Sequence, residues 1–423
     1  MYPLRGAVRH YSWGSHTALA ELTGRPAPTE EPEAELWLGA HPVAPATVDT
    51  EDGAVPLSDL IARDPEGQLG PVCARQFDGR LPFLMKVLAA EQPLSLQAHP
   101  SRAQAREGFA RENAAGIPLD APHRNYRDDN HKPEMVVALS RFEALAGFRA
   151  LTETVEFLRD LGVSELTPYA SEFGDNLDAT GLRALFTAWM TLPTKSLVEL
   201  TDAVLSGCER YLDARSGSED EFTVAARTAL ELGLAYPEDP GVLASLLLNR
   251  VSMEPGDALF LPAGNLHAYL RGTAVEIMAN SDNVLRGGLT SKHVDIPELL
   301  RVLDFEALDV PWERPHIVGG TSVYVPPVRE FALVRAELGL ADGASTSVAF
   351  GSGAPRIVQC TAGAVELRRG VQTVGLERGE SAWIPATDPD VTVRSASAHA
   401  TVFGATVPLR EPTRWPGTGQ ATD

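Results

Sequence analysis

Apolar and polar positions alternate along Pro93–Ser101, PLSLQAHPS. Strand side chains point to alternate faces, so Ser95, Gln97 and His99 share one face while Leu94, Leu96 and Ala98 face a core. A polar face on a strand with an apolar back predicts a lined cavity. Short runs of the same kind recur through residues 1–150: ELWLGAHP at 35–42, LPFLMKVLAA at 81–90 and PEMVVAL at 133–139. Runs of roughly four to eight residues punctuated by Pro and Gly predict strands of an antiparallel β fold. SRAQAREGFARENA at 101–114 predicts a short helix with Ser101 as its N-cap.

From 151 to 248 the period changes. Leu197, Leu200, Val204, Cys208 and Tyr211 recur at helical spacing. TETVEFLRDLG, GLRALFTAWM, EFTVAARTALELG and GVLASLLLN read the same way, giving a helical insertion of about 100 residues whose expected role is packing, not chemistry. After 249 the strand pattern returns, and EPGDALFLPAGNLH delivers His267 beyond two turns. LERGESAWIPATDPD at 376–390 echoes it. Aligning Gly256 with Gly379 and Pro262 with Pro385 puts Asp390 where His267 stands. A second β-barrel module without that His is therefore expected in the last hundred residues.

Composition narrows the class. A 423-residue chain exceeds one usual core, so two or three domains are expected. Three distant cysteines without CxxC spacing argue against disulfides and thiolate metal sites. A net charge of −21 excludes nucleic acid as a partner and requires local positive charge wherever an anion binds. No apolar run reaches the roughly 18 residues of a membrane span. MYPLRGAVRHYSWG lacks a secretory h-region, so a cytoplasmic location is expected.

Four segments carry candidate chemistry. Gln97 with His99, Lys132 with Glu134, and His267 with Tyr269 are pairs spaced by two residues inside apolar runs. VEIMANSDNVLRGGLTSKH adds Glu276, Asp282, Arg286 and Lys292 in and before a Gly-rich loop. Pointed into one barrel, Gln97, His99, Glu134 and His267 offer two imidazole nitrogens, a carboxylate and an amide oxygen. That donor set suits Zn²⁺ and is compatible with Fe²⁺ or Mn²⁺. One carboxylate against a divalent ion leaves Lewis acidity for an oxyanionic ligand. A lone strand His is more often structural, Glu134 has Lys132 as an ion-pair partner, and Gln is an uncommon ligand. Only joint convergence makes a site. His10, His16, His123, His131, His316 and His399 sit in no ligand pattern, and nothing fixes a role for His41. GSGAP at 351–355 reads as a turn, and no GxSxG, P-loop or HExxH occurs.

SWGS at 12–15, ELWLGAHP, LPFLMKVL, LSLQAHP, NHKPEM at 130–135, PAGNLHAY at 262–269 and ANSDNVLRGGLTSKH at 279–293 resemble the type I mannose-6-phosphate isomerases, in the family's order. The chain departs from the family's usual ELWMGTHP, and Ser291 precedes Lys292 where a Pro is usual. The resemblance implies a mainly β fold: a cupin-type antiparallel jelly-roll barrel, an inserted helical domain and a second, degenerate barrel. The corresponding division is 1–150 and 249–320 for the first barrel, 151–248 helical, 321–410 second barrel and 411–423 tail. It further implies one Zn²⁺ held by Gln97, His99, Glu134 and His267, Arg286 as a catalytic residue and Glu276 as a proton carrier. Ser95, Lys132, Lys292 and Tyr269 fall on the substrate side. The expected reaction interconverts mannose 6-phosphate and fructose 6-phosphate through a cis-enediol, in a monomer with a phosphosugar as its partner. A metal-dependent oxygenase or a non-catalytic sugar-binding protein on the same barrel is the competing reading.

Overall fold

The computed structural model describes residues 1–408 except 52, 308 and 340–344; the tail expected at 411–423 lies outside the described residues. All strand pairings among the described residues are antiparallel. The strand His267–Ala279 is the axis of a ten-stranded sheet. It pairs with Phe83–Ala90, Glu134–Ala138, Phe142–Phe148 and Leu96–Ala98. Leu96–Ala98 in turn pairs with Leu285–Gly288.

The two faces of this sheet are chemically different. Met85, Val87, Met135, Val137, Val275 and Ile277 point outward, into a core shared with Leu333, Ile357, Trp383 and Phe403 from the C-terminal part. The alternate residues of the same strands face inward, where Lys86 stands opposite Glu276. A regular strand would put His267 and Glu276, nine positions apart, on opposite faces. The pairing with Phe142–Phe148 shifts register between Tyr269 and Arg271, and Gly272 follows at φ +119°. One extra residue resets the parity, as a β-bulge does, and lets a single strand send both side chains inward.

The helical expectation is met by Leu151–Asp160, Ala179–Met190, Thr194–Ala214 and Glu221–Ala235. Leu197, Leu200, Val204, Cys208 and Tyr211 are all buried. GVLASLLLN is corrected: only Gly241–Ser245 is helical, and a strand begins at Leu248, which pairs with Phe148 before the register shifts between Leu248 and Arg250. The helices share their core with Leu96, Ala98, Leu266, Ala268 and Leu285, so they pack on the back of the strands that carry the site. The stretch 93–101 is shorter as a strand than its alternation suggests, only Leu96–Ala98, because Pro93 and Pro100 bracket it.

The C-terminal part supplies a four-stranded sheet and six strands of a nine-stranded one, whose other three, Tyr2–Arg5, Thr47–Thr50 and Gly53–Pro56, come from the start of the chain. The chain's opening strand, Tyr2–Arg5, sits in the nine-stranded sheet between Ser381–Ile384 and Thr47–Thr50. The internal echo is real at the level of turn and strand. Ala258–Leu261 and Ser381–Ile384 sit at the same offset, after Gly256 at φ +98° and Gly379 at φ +89°. Asp390, the counterpart of His267, accepts from the Ser352 N–H at 2.8 Å.

Candidate metal centre

His99, Glu134 and His267 converge, fully buried, with one ligand atom from each lying within 4.8 Å of the others. Glu134 Oε1 is 2.8 Å from His267 Nε2 and 3.4 Å from His99 Nε2. Two donors at tetrahedral positions about one zinc, each ~2.0–2.1 Å from it, lie roughly 3.4 Å apart, so the spacing fits such an ion. Glu134 Oε1 and His267 Nε2 are buried without an aligned hydrogen bond among the described residues. Unsatisfied buried acceptors are costly, and a cation would complete them. The remaining ring nitrogens face backbone carbonyls: His99 Nδ1 lies 2.8 Å from the oxygen of Asn283, and His267 Nδ1 lies 3.0 Å from that of Asn265. Donation to those carbonyls leaves both Nε2 atoms as lone-pair donors.

The electrostatics agree. Burial and the nearby Lys132 ammonium depress His99 to about 4, which keeps it neutral and able to ligate. Burial opposes ionisation of Glu134, but Lys132 and the imidazoles outweigh it and hold the carboxyl well below the usual range. Lys132 Nζ lies 2.7 Å from Glu134 Oε2 and 3.2 Å from His99 Nε2.

Gln97 stands directly opposite His267 on one neighbouring strand and Arg286 on the other. Cross-strand partners share a face, so His267, Gln97 and Arg286 form one row. A cavity of about 670 Å³ lies over the centre, lined by Gln97 and Lys132 together with Ser95, Tyr269, Glu276, Arg286 and Lys292. Tyr269 is buried and its hydroxyl lacks an aligned partner among the described residues, whereas Lys292 is exposed at the cavity mouth. Burial and the neighbouring Arg127 lower the Arg286 pKa, and burial with Arg286 and Arg127 lowers that of Lys292.

Glu276 is ion-paired with Lys86 at 2.9 Å, and Lys86 lies 3.4 Å from Glu35. Burial raises the Glu276 pKa despite Lys86. Burial works against the Lys86 charge, but Glu276 and Glu35 more than restore it. Sequence reasoning missed Lys86, although it is a lone charge inside the otherwise apolar strand Phe83–Ala90, which is a usable signal, and it missed Glu35, which opens the strand Glu35–Gly39. It also missed Arg127 and Asn283. The Asn283 side chain accepts the Arg127 N–H at 2.7 Å while its own carbonyl faces His99, a convergence with no trace in spacing. His41, without a role until now, packs its ring on Trp37 and lies 3.4 Å from Asp282.

Fold and site define a mainly β protein with inserted helices and a buried His–Glu–His metal-ligand set. Residues 1–151 match the family model for the phosphomannose isomerase type I catalytic domain. Mannose-6-phosphate isomerase of Escherichia coli K12 is 41% identical over 406 residues, covering 95% of this chain and 99% of that one. The human enzyme of that name is 35% identical over 366 residues, covering 80% and 82%. A solved mutant of Salmonella typhimurium phosphomannose isomerase superposes with a TM-score of 0.87 at 37% identity, covering 97% of this chain and 100% of that one. A zinc-bound mannose 6-phosphate isomerase gives 0.86 at 37% identity, covering 96% and 99%. The chain belongs to the type I phosphomannose isomerase family.

Proposed function

We propose that this chain is a zinc-dependent aldose–ketose isomerase interconverting mannose 6-phosphate and fructose 6-phosphate. The buried His99–Glu134–His267 set beneath a cavity lined by cations carries that reading. The zinc in a solved relative supports the choice of metal. His99, Glu134 and His267 would hold Zn²⁺, with the Gln97 amide oxygen as fourth donor. Bound there, the ion supplies Lewis acidity toward the sugar oxygens.

In the forward direction Glu276 takes the C2 proton of the open-chain aldose. The C–H electron pair becomes the C1–C2 double bond, and the carbonyl oxygen becomes the enediolate oxygen. Return of the proton to C1, as the O2 hydrogen passes to O1 and the C2–O2 carbonyl forms, gives the ketose. Arg286 stabilises the developing oxyanion, since a guanidinium stays protonated and makes a poor base. Lys86 fixes the Glu276 carboxylate through their ion pair. Ser95, Tyr269, Lys132 and Lys292 face the phosphosugar, and Lys132, Lys292 and Arg286 offset the charge of the phosphate.

The same reading assigns the site-bearing sheet to a cupin-type jelly roll. It divides the chain near residues 150, 248 and 320, with Tyr2–Arg5 lent to the C-terminal barrel. It also makes the protein a cytoplasmic monomer; no helix among the described residues is long and apolar enough to cross a membrane. The test is a coupled assay for fructose 6-phosphate formed from mannose 6-phosphate, before and after chelation and again with zinc restored. Turnover should vanish and return. Undiminished turnover after complete metal removal would refute the zinc assignment, and no turnover at all would refute the isomerase.

A further inference from the structure

One buried side chain ties the C-terminal part of the molecule to the metal-ligand segments. Glu330 lies between the strands Thr321–Tyr324 and Ala332–Gly339 and is only 2% exposed. Its Oε1 accepts from Arg102 Nη2 and lies 2.9 Å from His131 Nε2. Arg102 Nη2 and His131 Nε2 are themselves 2.7 Å apart, so the three groups form one closed cluster. The second carboxylate oxygen accepts from the Arg329 N–H at 3.1 Å. Burial opposes the Glu330 charge, but His131 and Arg102 outweigh it and lower the pKa. A carboxylate this buried persists only with charge-assisted partners.

The positions of those partners give the cluster its meaning. Arg102 follows His99 by three residues, and His131 precedes Glu134 by three. Each connection contains a proline, Pro100 in one and Pro133 in the other, which fixes φ and stiffens the link. The first is stiffened again because Ser101 closes a capping box with Gln104. A displacement at Glu330 is therefore passed along two short, stiff segments to two of the three converging ligands. Lys132, 2.7 Å from Glu134, rides on the second segment.

We propose that Glu330 is a positioning residue through which the C-terminal module sets the spacing of His99 and Glu134, so that metal affinity depends on a side chain from outside the barrel that binds the metal. This rests on the metal reading above. The test uses the full chain and its Glu330→Gln variant, which keeps shape and removes charge. Zinc dissociation constants are measured by chelator competition on the apoproteins, alongside Tm and KM. Loss of outer-shell partners typically weakens metal binding about 10–100-fold, and a loss toward the lower end is expected here, with partial recovery in Glu330→Asp. Gln68→Met is the control. It removes another buried contact to the C-terminal part, Trp383 Nε1 to Gln68 Oε1 at 2.8 Å, and should lower Tm while leaving zinc affinity unchanged.

A Glu330→Gln protein with lowered Tm and wild-type zinc affinity makes the residue mere glue and overturns the proposal. If that variant does not fold, His131→Gln replaces it, and unchanged zinc affinity there overturns the proposal equally. A wild-type chain that takes up no zinc overturns the metal reading itself, whereas wild-type uptake with an indifferent variant removes the positioning role alone.

Discussion

At the scale of single residues, Glu276 is the group on which turnover should depend most directly. A positioned acid–base group contributes ~10²–10⁴-fold, so Glu276→Gln should lower kcat by about that factor while zinc content stays normal. Its pKa adds a second handle. Burial raises it above the ordinary 4.5 and Lys86 pulls it back down. The base must be deprotonated, so activity is lost as pH falls through the raised value, and the acid limb of kcat/KM should lie above pH 4.5. Lys86→Met removes the group that lowers the pKa and should move that limb further up in pH. A limb that stays put in Lys86→Met assigns the titration to some other group. The converging set His99, Glu134 and His267 was legible because each residue belongs to a polar pair spaced by two residues inside an apolar run. Glu276 was singled out in the sequence as a polar residue ahead of the Gly-rich loop, but its place beside the centre was not legible from spacing, since nine residues from His267 it belongs on the opposite face of any regular strand. The bulge at Tyr269–Arg271 that reverses this is a pairing irregularity, invisible without the partner strand.

At the scale of elements, the helix Arg102–Ala114 was fully legible, down to the Ser101 cap, because local chemistry alone determines it. The loop after it was not. Residues 115–131 have no period, yet Tyr126 is buried with its hydroxyl donating to Glu298 at 2.6 Å, and the Glu112 carboxylate accepts from the Tyr126 N–H at 2.9 Å. That anchoring presents Arg127 to the cavity. Gly108 makes it possible, since a Cβ at this position would overlap the Tyr126 ring. Gly108 sits mid-helix, where Ala is intrinsically better by roughly 0.5–1 kcal/mol, so propensity predicts stabilisation. Overpacking typically costs 1–3 kcal/mol, and the ring is held at both ends, so the clash should win. Gly108→Ala is expected to lower stability in denaturant titrations and to raise KM by displacing Arg127. A stabilised variant would mean that the loop yields easily and does not fix the cavity wall. The opposite failure of legibility occurs at Leu248, where an unbroken apolar run looks helical until the partner strand Phe142–Phe148 claims it.

At the scale of the whole molecule, charge decides how substrate arrives. A net charge of −21 repels a phosphosugar dianion, while Arg127, Arg286 and Lys292 line the cavity, where Arg127 disfavours the charge of Arg286 and both arginines disfavour that of Lys292. The two effects have different ranges. The Debye length is ~10 Å at 0.1 M salt, so repulsion spread over the surface is largely screened under ordinary assay conditions. Contacts between phosphate and the cationic wall act at hydrogen-bond distance, in a partly buried site, and survive screening better. Added salt still competes for that wall. KM for the phosphosugar should therefore rise with ionic strength, and Lys292→Gln should raise KM at low salt and flatten its salt dependence. Zinc content should be unaffected, because the metal-ligand set lies deeper than this exposed lysine. Zinc loss in Lys292→Gln would make the residue structural. A KM that falls as salt is added would show that the global field, not the local cluster, governs binding in this acidic protein.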